Sequence, residues 1–130
     1  MYKLITVLAI IFAMMCQVSF ASVYNCDQMK DLTKKYITSD KSLATTMICI
    51  AYYESSWNTH AYNPSSATGL WQLLGEHCKD MCSSFCKTPS DLYDASINAR
   101  CAEKVLKSQG LDAWTTYSNG DCKDWKKCDL

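Results

Sequence analysis

Nine cysteines in 130 residues constrain this chain more than any other feature. What they do depends on whether the chain is exported, and its first residues read as an export signal. Lys3 supplies the charged start, and Leu4 to Met15 form an apolar run interrupted only by Thr6. Ser19 and Ala21 then stand where a signal peptidase needs small side chains. A membrane anchor is the alternative, but the run is short for a span and flanked by small residues. Residues 1–21 are therefore expected to be a signal peptide, and residues 22–130 a single domain of 130 − 21 = 109 residues.

Cleavage after Ala21 removes Cys16 and leaves an even set: Cys26, Cys49, Cys78, Cys82, Cys86, Cys101, Cys122 and Cys128. In an oxidising compartment such a set reads as four disulfides, each contributing ~2–4 kcal/mol to a core that would otherwise be marginal. Zinc is the competing use of closely spaced cysteines. However, no Cys-x-x-Cys pair occurs, and secretion disfavours free thiolates, so no metal and no cofactor are expected. Eight cysteines can pair in about a hundred ways, and spacing alone does not choose among them.

Loss of Lys3 leaves 12 basic against 13 acidic residues, a net charge near −1. That balance offers no electrostatic footprint for nucleic acid or an anionic membrane. The expected location is the extracellular space or a vacuolar or lysosomal lumen, with the chain a monomer.

Helical periodicity dominates the remainder. Cys26, Met29, Leu32, Lys35 and Tyr36 recur at spacings of three and four. Ser39 or Asp40 can cap a second helix that carries Leu43, Met47, Ile50, Ala51 and Glu54 on one face and stops near Ser55, Ser56 and Asn58. Residues 67–74 fit either a strand or a short helical turn, and periodicity does not decide between them. A third helix begins after Asp94, turns Ile97, Cys101, Val105 and Leu106 inward, and ends at Gly110. The fold class is α+β, mainly helical, with a small β element.

Glu54 is the residue that stands out. It continues a buried stripe at the end of a helix, with Ala51, Tyr52, Tyr53 and Trp57 as sequence neighbours. Helix carbonyls and apolar surroundings both favour the protonated form of a carboxyl, the state in which a general acid works. The alternative is an ordinary solvent-facing helix glutamate.

The segment from Cys49 to Asn63 resembles the catalytic segment of the animal c-type lysozymes: a cysteine, four residues, Glu54-Ser55, one residue, an aromatic, Asn58-Thr59, then Ala61 and Asn63. Gly69-Leu70-Trp71-Gln72-Leu73 is similar to that family's strand segment, and Ala113-Trp114 to the pair lining its cleft. The resemblance covers the mature chain and implies a lysozyme-like fold. It also implies the pairing Cys26–Cys128, Cys49–Cys122, Cys78–Cys86 and Cys82–Cys101. It makes Glu54 the catalytic acid and Trp114 the tryptophan beside it, with Asn63, Gln72, Trp114 and Tyr117 contacting sugar. The implied substrate is bacterial cell-wall glycan, cut between N-acetylmuramic acid and N-acetylglucosamine in a bacteriolytic or digestive role.

The chain departs from that family where its second carboxylate belongs. Two residues before the strand glycine, an aspartate is replaced by Ala67, and the segment between Asn63 and Gly69 is shorter. Only Glu76 and Asp80 are acidic nearby in sequence. Glu54-Ser55 with Ala67-Thr68-Gly69-Leu70-Trp71-Gln72 also resembles the lytic transglycosylases and goose-type lysozymes, as does Asp94-Ala95-Ser96-Ile97-Asn98-Ala99. Those families work with one essential glutamate. The alternatives to a hydrolytic lysozyme are therefore a lytic transglycosylase and a catalytically silent relative that binds sugar or a partner. Calcium is not expected, because residues 84–94 lack clustered acids. His60 and His77 fit no ligand pattern.

Overall fold

The computed structural model describes residues 20–130. The signal peptide expected over residues 1–21 falls, for residues 1–19, outside the described residues. Among the described residues no helix is long and apolar enough to cross a membrane.

Helix α1 spans Cys26–Tyr36. Its start is closed reciprocally: the Asn25 carboxamide accepts from the Gln28 backbone at 2.9 Å, and the Gln28 side chain accepts from the Asn25 backbone at 3.0 Å. Helix α2, Lys41–Ser55, is capped by Asp40, which accepts from the Leu43 N–H at 2.8 Å. Ala44, Met47, Ile48, Ile50 and Ala51 are buried, so this helix runs through the core. It ends at Ser56 in the left-handed region, with φ +51°.

Residues 67–74 form a hairpin with two very short strands. Strand β1, Ala67–Thr68, pairs antiparallel with β2, Leu73–Leu74, in the register Ala67 to Leu74 and Thr68 to Leu73. Of the two conformations that periodicity left open, the strand is the one present, at residues 67–68 and 73–74, and residues 69–72 form the turn between them. A bridge between Tyr62 and Thr68 adds the trace of a third strand.

Single-turn 3-10 segments cover Gly75–Lys79 and Pro89–Tyr93. Helix α3 follows over Ala95–Gln109, capped by Asp94 bonds to the backbone N–H groups of Ser96 at 2.9 Å and Ile97 at 3.0 Å. Gly110 ends it at φ +73°. A third 3-10 turn, Leu111–Ala113, leads into the short helix α4, Thr115–Ser118. Helix α1 lies against α2 and α3, and α4 against α2. The result is an α+β, mainly helical, lysozyme-like architecture with a reduced β element.

Four disulfides join Cys26 to Cys128, Cys49 to Cys122, Cys78 to Cys86 and Cys82 to Cys101. The first two tie helices α1 and α2 to the C-terminal segment. The last two fasten the loop after β2 to itself and to α3.

The polar side chain of Asn98 lies fully inside the core. The Asn98 amide nitrogen donates to the Thr68 and Leu92 carbonyls, both at 2.9 Å, and its oxygen accepts from the Trp71 N–H at 3.1 Å. Asn98 on α3 thereby fixes the hairpin turn to the helix and to the Pro89–Tyr93 segment. Gly69 sits directly against it at φ +76°, where a Cβ would collide with the Asn98 amide and the Leu92 carbonyl.

Asn98→Ala would leave a buried N–H and two carbonyls unpaired, at about 1–3 kcal/mol for each unsatisfied group. We expect urea unfolding of the oxidised protein to show a loss of about 3 kcal/mol or more. Asp91 gives a pH-dependent test. Its carboxylate accepts from the backbone N–H groups of Thr88 at 3.0 Å and Lys87 at 2.8 Å, which hold it below the usual 3.8. The stabilisation is complete above about pH 4 and lost as pH falls through the lowered value. Asp91→Asn should therefore lower the urea midpoint at pH 7 and narrow the gap to wild type at pH 2.

Candidate active site

Glu54 occupies the last turn of α2 and is half-buried. It opens into a cleft of about 240 Å³. One wall comes from the hairpin and the turn after it, through Gln72, Leu73, Leu74 and His77. The other is built by Val105 and Gln109 of α3 and by Ala113, Trp114 and Thr115. Among the described residues lining this cleft, Glu54 is the only carboxylate. A larger groove of about 520 Å³ lies elsewhere, between α1 and the start of α3, and does not include Glu54.

The sequence neighbours of Glu54 are not its spatial neighbours. Successive helical residues point about 100° apart, so Tyr52 and Tyr53 leave for other faces. Tyr52 packs instead with Trp57 and Trp125, at ring separations of 5.3 and 6.1 Å, with the Lys127 ammonium 4.0 Å over its ring. Tyr53 is half-exposed. The aromatic in the cleft with Glu54 is Trp114.

Trp114 serves the core and the cleft together. It is only 5% exposed, and its indole N–H donates to the Trp71 carbonyl at 2.9 Å. Trp71 in turn donates its own indole N–H to the Met47 carbonyl on α2, also at 2.9 Å. The helix carrying Glu54, the hairpin turn and the segment leading into α4 are thus joined through one buried residue. The Ser55 hydroxyl adds a second tie, lying 2.8 Å from the Leu70 carbonyl and 2.9 Å from the Ala51 carbonyl.

Gln72 adopts φ +48° at the end of the hairpin turn. Its amide nitrogen donates to the carbonyls of Ala61 and Gly69, both at 3.1 Å, which uses both of its protons and orients the side chain in the cleft wall. Asn63 is exposed and holds its own turn, accepting from the Ser65 N–H at 3.0 Å and hydroxyl at 2.9 Å. It does not line the cleft. Tyr117, 39% exposed on α4, is also outside the lining. The structure therefore brings Glu54, Gln72 and Trp114 together and leaves Asn63 and Tyr117 outside.

Two polar residues at or beside Glu54 were not marked by the sequence, His77 in the cleft wall and Thr116 bonded to the carboxyl. His77 lines the wall opposite α3, with its Nδ1 3.6 Å from the Asp80 carboxylate. The only signal was its spacing of three from Asp80 on a single turn. Thr116 donates its hydroxyl to Glu54 Oε1 at 2.8 Å. Nothing local marked it, since 62 residues separate the partners. Neither Glu76 nor Asp80 lines the cleft; both are exposed. Ala67 is a β1 residue paired with Leu74. Among the described residues no group of three or more metal-ligating side chains is gathered.

A family model described as the transglycosylase SLT domain matches residues 31–127. The chain belongs to this family, within the lysozyme superfamily. It is 39% identical to a lysozyme C-like protein of Dictyostelium discoideum, over 97% of this chain and 65% of that protein. The chain thus spans just under two thirds of that relative's length. It is 34% identical to the milk isozyme of lysozyme C from Equus caballus, over 59% of this chain and 69% of that protein. It is 38% identical to the probable transglycosylase IsaA of Staphylococcus aureus, over 55% of this chain and 25% of that protein. A lysozyme-superfamily cleft built this way depends on the Trp114 indole bond. Trp114→Phe keeps most of the packing but leaves the Trp71 carbonyl unpaired. It should lower the thermal midpoint measurably, for a cost of about 1–3 kcal/mol.

Proposed function

We propose that this chain is a secreted glycosidase that cuts the glycan strand of bacterial peptidoglycan at the β-1,4 bond between N-acetylmuramic acid and N-acetylglucosamine. The observation that carries the reading is a half-buried carboxyl, Glu54, alone among acids in a cleft walled by an amide and an indole. Such a cleft suits sugar: Trp114 supplies an apolar wall and Gln72 an oriented polar one. Asn63 and Tyr117 lie outside it and would meet only the outer part of a longer strand. Four disulfides suit an oxidising destination, extracellular or in a vacuolar or lysosomal lumen.

Glu54, protonated, gives its proton to the glycosidic oxygen as the C1–O bond breaks and its electron pair passes to the leaving sugar. The positive charge growing at C1 needs a partner on the opposite face. With Ala67 where the c-type pattern has an aspartate, the substrate's own N-acetyl oxygen can fill that role. Glu54, now a carboxylate, then takes the proton of the attacking nucleophile. Leu74 of the cleft lining is 41% exposed, which supports access of water as that nucleophile.

A second reading is a lytic transglycosylase, in which the C6 hydroxyl of the muramic residue attacks in place of water. The family match and the lone carboxylate support it. Mass spectrometry of digested peptidoglycan separates the two: reducing ends mark hydrolysis, and anhydro-sugar ends mark transglycosylation. In either case Glu54→Gln should lower the rate by about a hundredfold or more. Full activity in that variant would remove Glu54 from the mechanism. No cleavage by wild type in acid or at neutrality would make the chain a sugar-binding relative.

A further inference from the structure

We infer that Thr116 is the positioning residue of Glu54, deciding which carboxyl oxygen carries the proton and strengthening its grip as that proton leaves. The inference rests on the reading of Glu54 as proton donor.

A glutamate side chain ends in a soft torsion with a broad, roughly two-fold profile, so an unattached carboxyl samples many orientations. Glu54 projects into an open cleft, where such freedom would cost reactive geometry. Its one side-chain partner among the described residues is Thr116, whose Oγ1 lies 2.8 Å from Oε1. Thr116 is only 8% exposed, so water does not readily displace it. A hydroxyl has a single proton to give, and this one is directed at Oε1. That leaves Oε2 as the oxygen that bears and delivers the acidic proton.

Both partners are held from outside the cleft. The disulfide between Cys49 and Cys122 joins a residue five positions before Glu54 (54 − 49) to one six positions after Thr116 (122 − 116), with Cα atoms 5.7 Å apart. Two residues before Thr116, the Trp114 indole is anchored on Trp71. The Glu54–Thr116 pair is therefore spanned by a covalent brace on one side and a buried hydrogen bond on the other.

The chemical consequence follows from charge. While Glu54 is protonated on Oε2, Thr116 donates to a neutral carbonyl oxygen. As the O–H bond breaks and the glycosidic oxygen takes the proton, Oε1 becomes part of a carboxylate, and the same bond becomes charge-assisted and stronger. An interaction that strengthens toward the transition state raises kcat and leaves ground-state binding almost unchanged.

The test compares wild type, Thr116→Val, Thr116→Ser and Glu54→Gln as oxidised proteins on a soluble oligosaccharide of alternating N-acetylmuramic acid and N-acetylglucosamine. Thermal midpoints are recorded for each to establish that it is folded. We expect Val, which keeps the shape and loses the hydroxyl, to lower kcat about tenfold with KM within about twofold of wild type. Ser, which restores the hydroxyl, should recover most of the rate. Wild-type kcat in the Val variant, with Glu54→Gln inactive, overturns the positioning role and leaves the proton donor standing. Equal losses in Val and Ser, or a KM that rises in step with the fall in kcat, would make Thr116 a packing residue only. An active Glu54→Gln overturns the donor assignment itself, and this inference with it.

Discussion

The contact between Asn98 and Trp71 is the one on which the rest of the structure depends. A turn of four residues between two-residue strands has little hydrogen bonding of its own to hold it. Asn98 replaces what a longer sheet would provide, joining the turn to α3 with a fully buried and fully paired carboxamide. Trp71, held by its backbone N–H, then offers its carbonyl to Trp114 and its indole to Met47. From one amide the order passes to α2, to the segment entering α4, and so to the position of Glu54 opposite Thr116. Buried polar groups of this kind are stabilising only when every member is paired. That condition explains why Gly69, with no side chain to intrude, stands against Asn98.

The short hairpin has a chemical counterpart. Ala67, which the sequence resemblance aligns with the c-type aspartate, is held in the strand pair with Leu74. The Glu54 carboxyl accepts from the Thr116 hydroxyl. In the proposed mechanism, where one carboxyl first donates and later accepts a proton, such a partner helps because its bond tightens when the negative charge appears. The surrounding wall, largely Leu73, Leu74, Val105, Ala113 and Trp114, carries little competing charge.

The disulfides act at the scale of the whole chain. Each bridge restricts the unfolded chain and so favours the folded one. Two bridges close long stretches, with sequence separations of 102 and 73 residues, and both anchor the C-terminal segment. The same segment contributes Trp125 and Lys127 to the aromatic cluster on Tyr52 and Trp57. The Tyr52 face of α2 is thereby covered, while Glu54, of the α2 residues, lines the cleft.

Local chemistry in the sequence was enough to determine the three main helices, because apolar spacing and the caps Asp40 and Asp94 act within a few residues. The candidate acid was legible for the same reason: Glu54 continues a stripe that has to face inward. The even cysteine count was legible as four bridges, but their pairing lies beyond any local rule, since it depends on which segments the fold brings together. Tertiary structure alone decided that Tyr52 and Trp57 turn away from Glu54, that His77 joins the cleft wall, and that Asn63 and Tyr117 stay outside it. It alone decided that the hydroxyl of Thr116 meets a carboxyl 62 residues away. Spacing along a chain records which face a residue shares with its neighbours, and only packing determines what stands opposite that face.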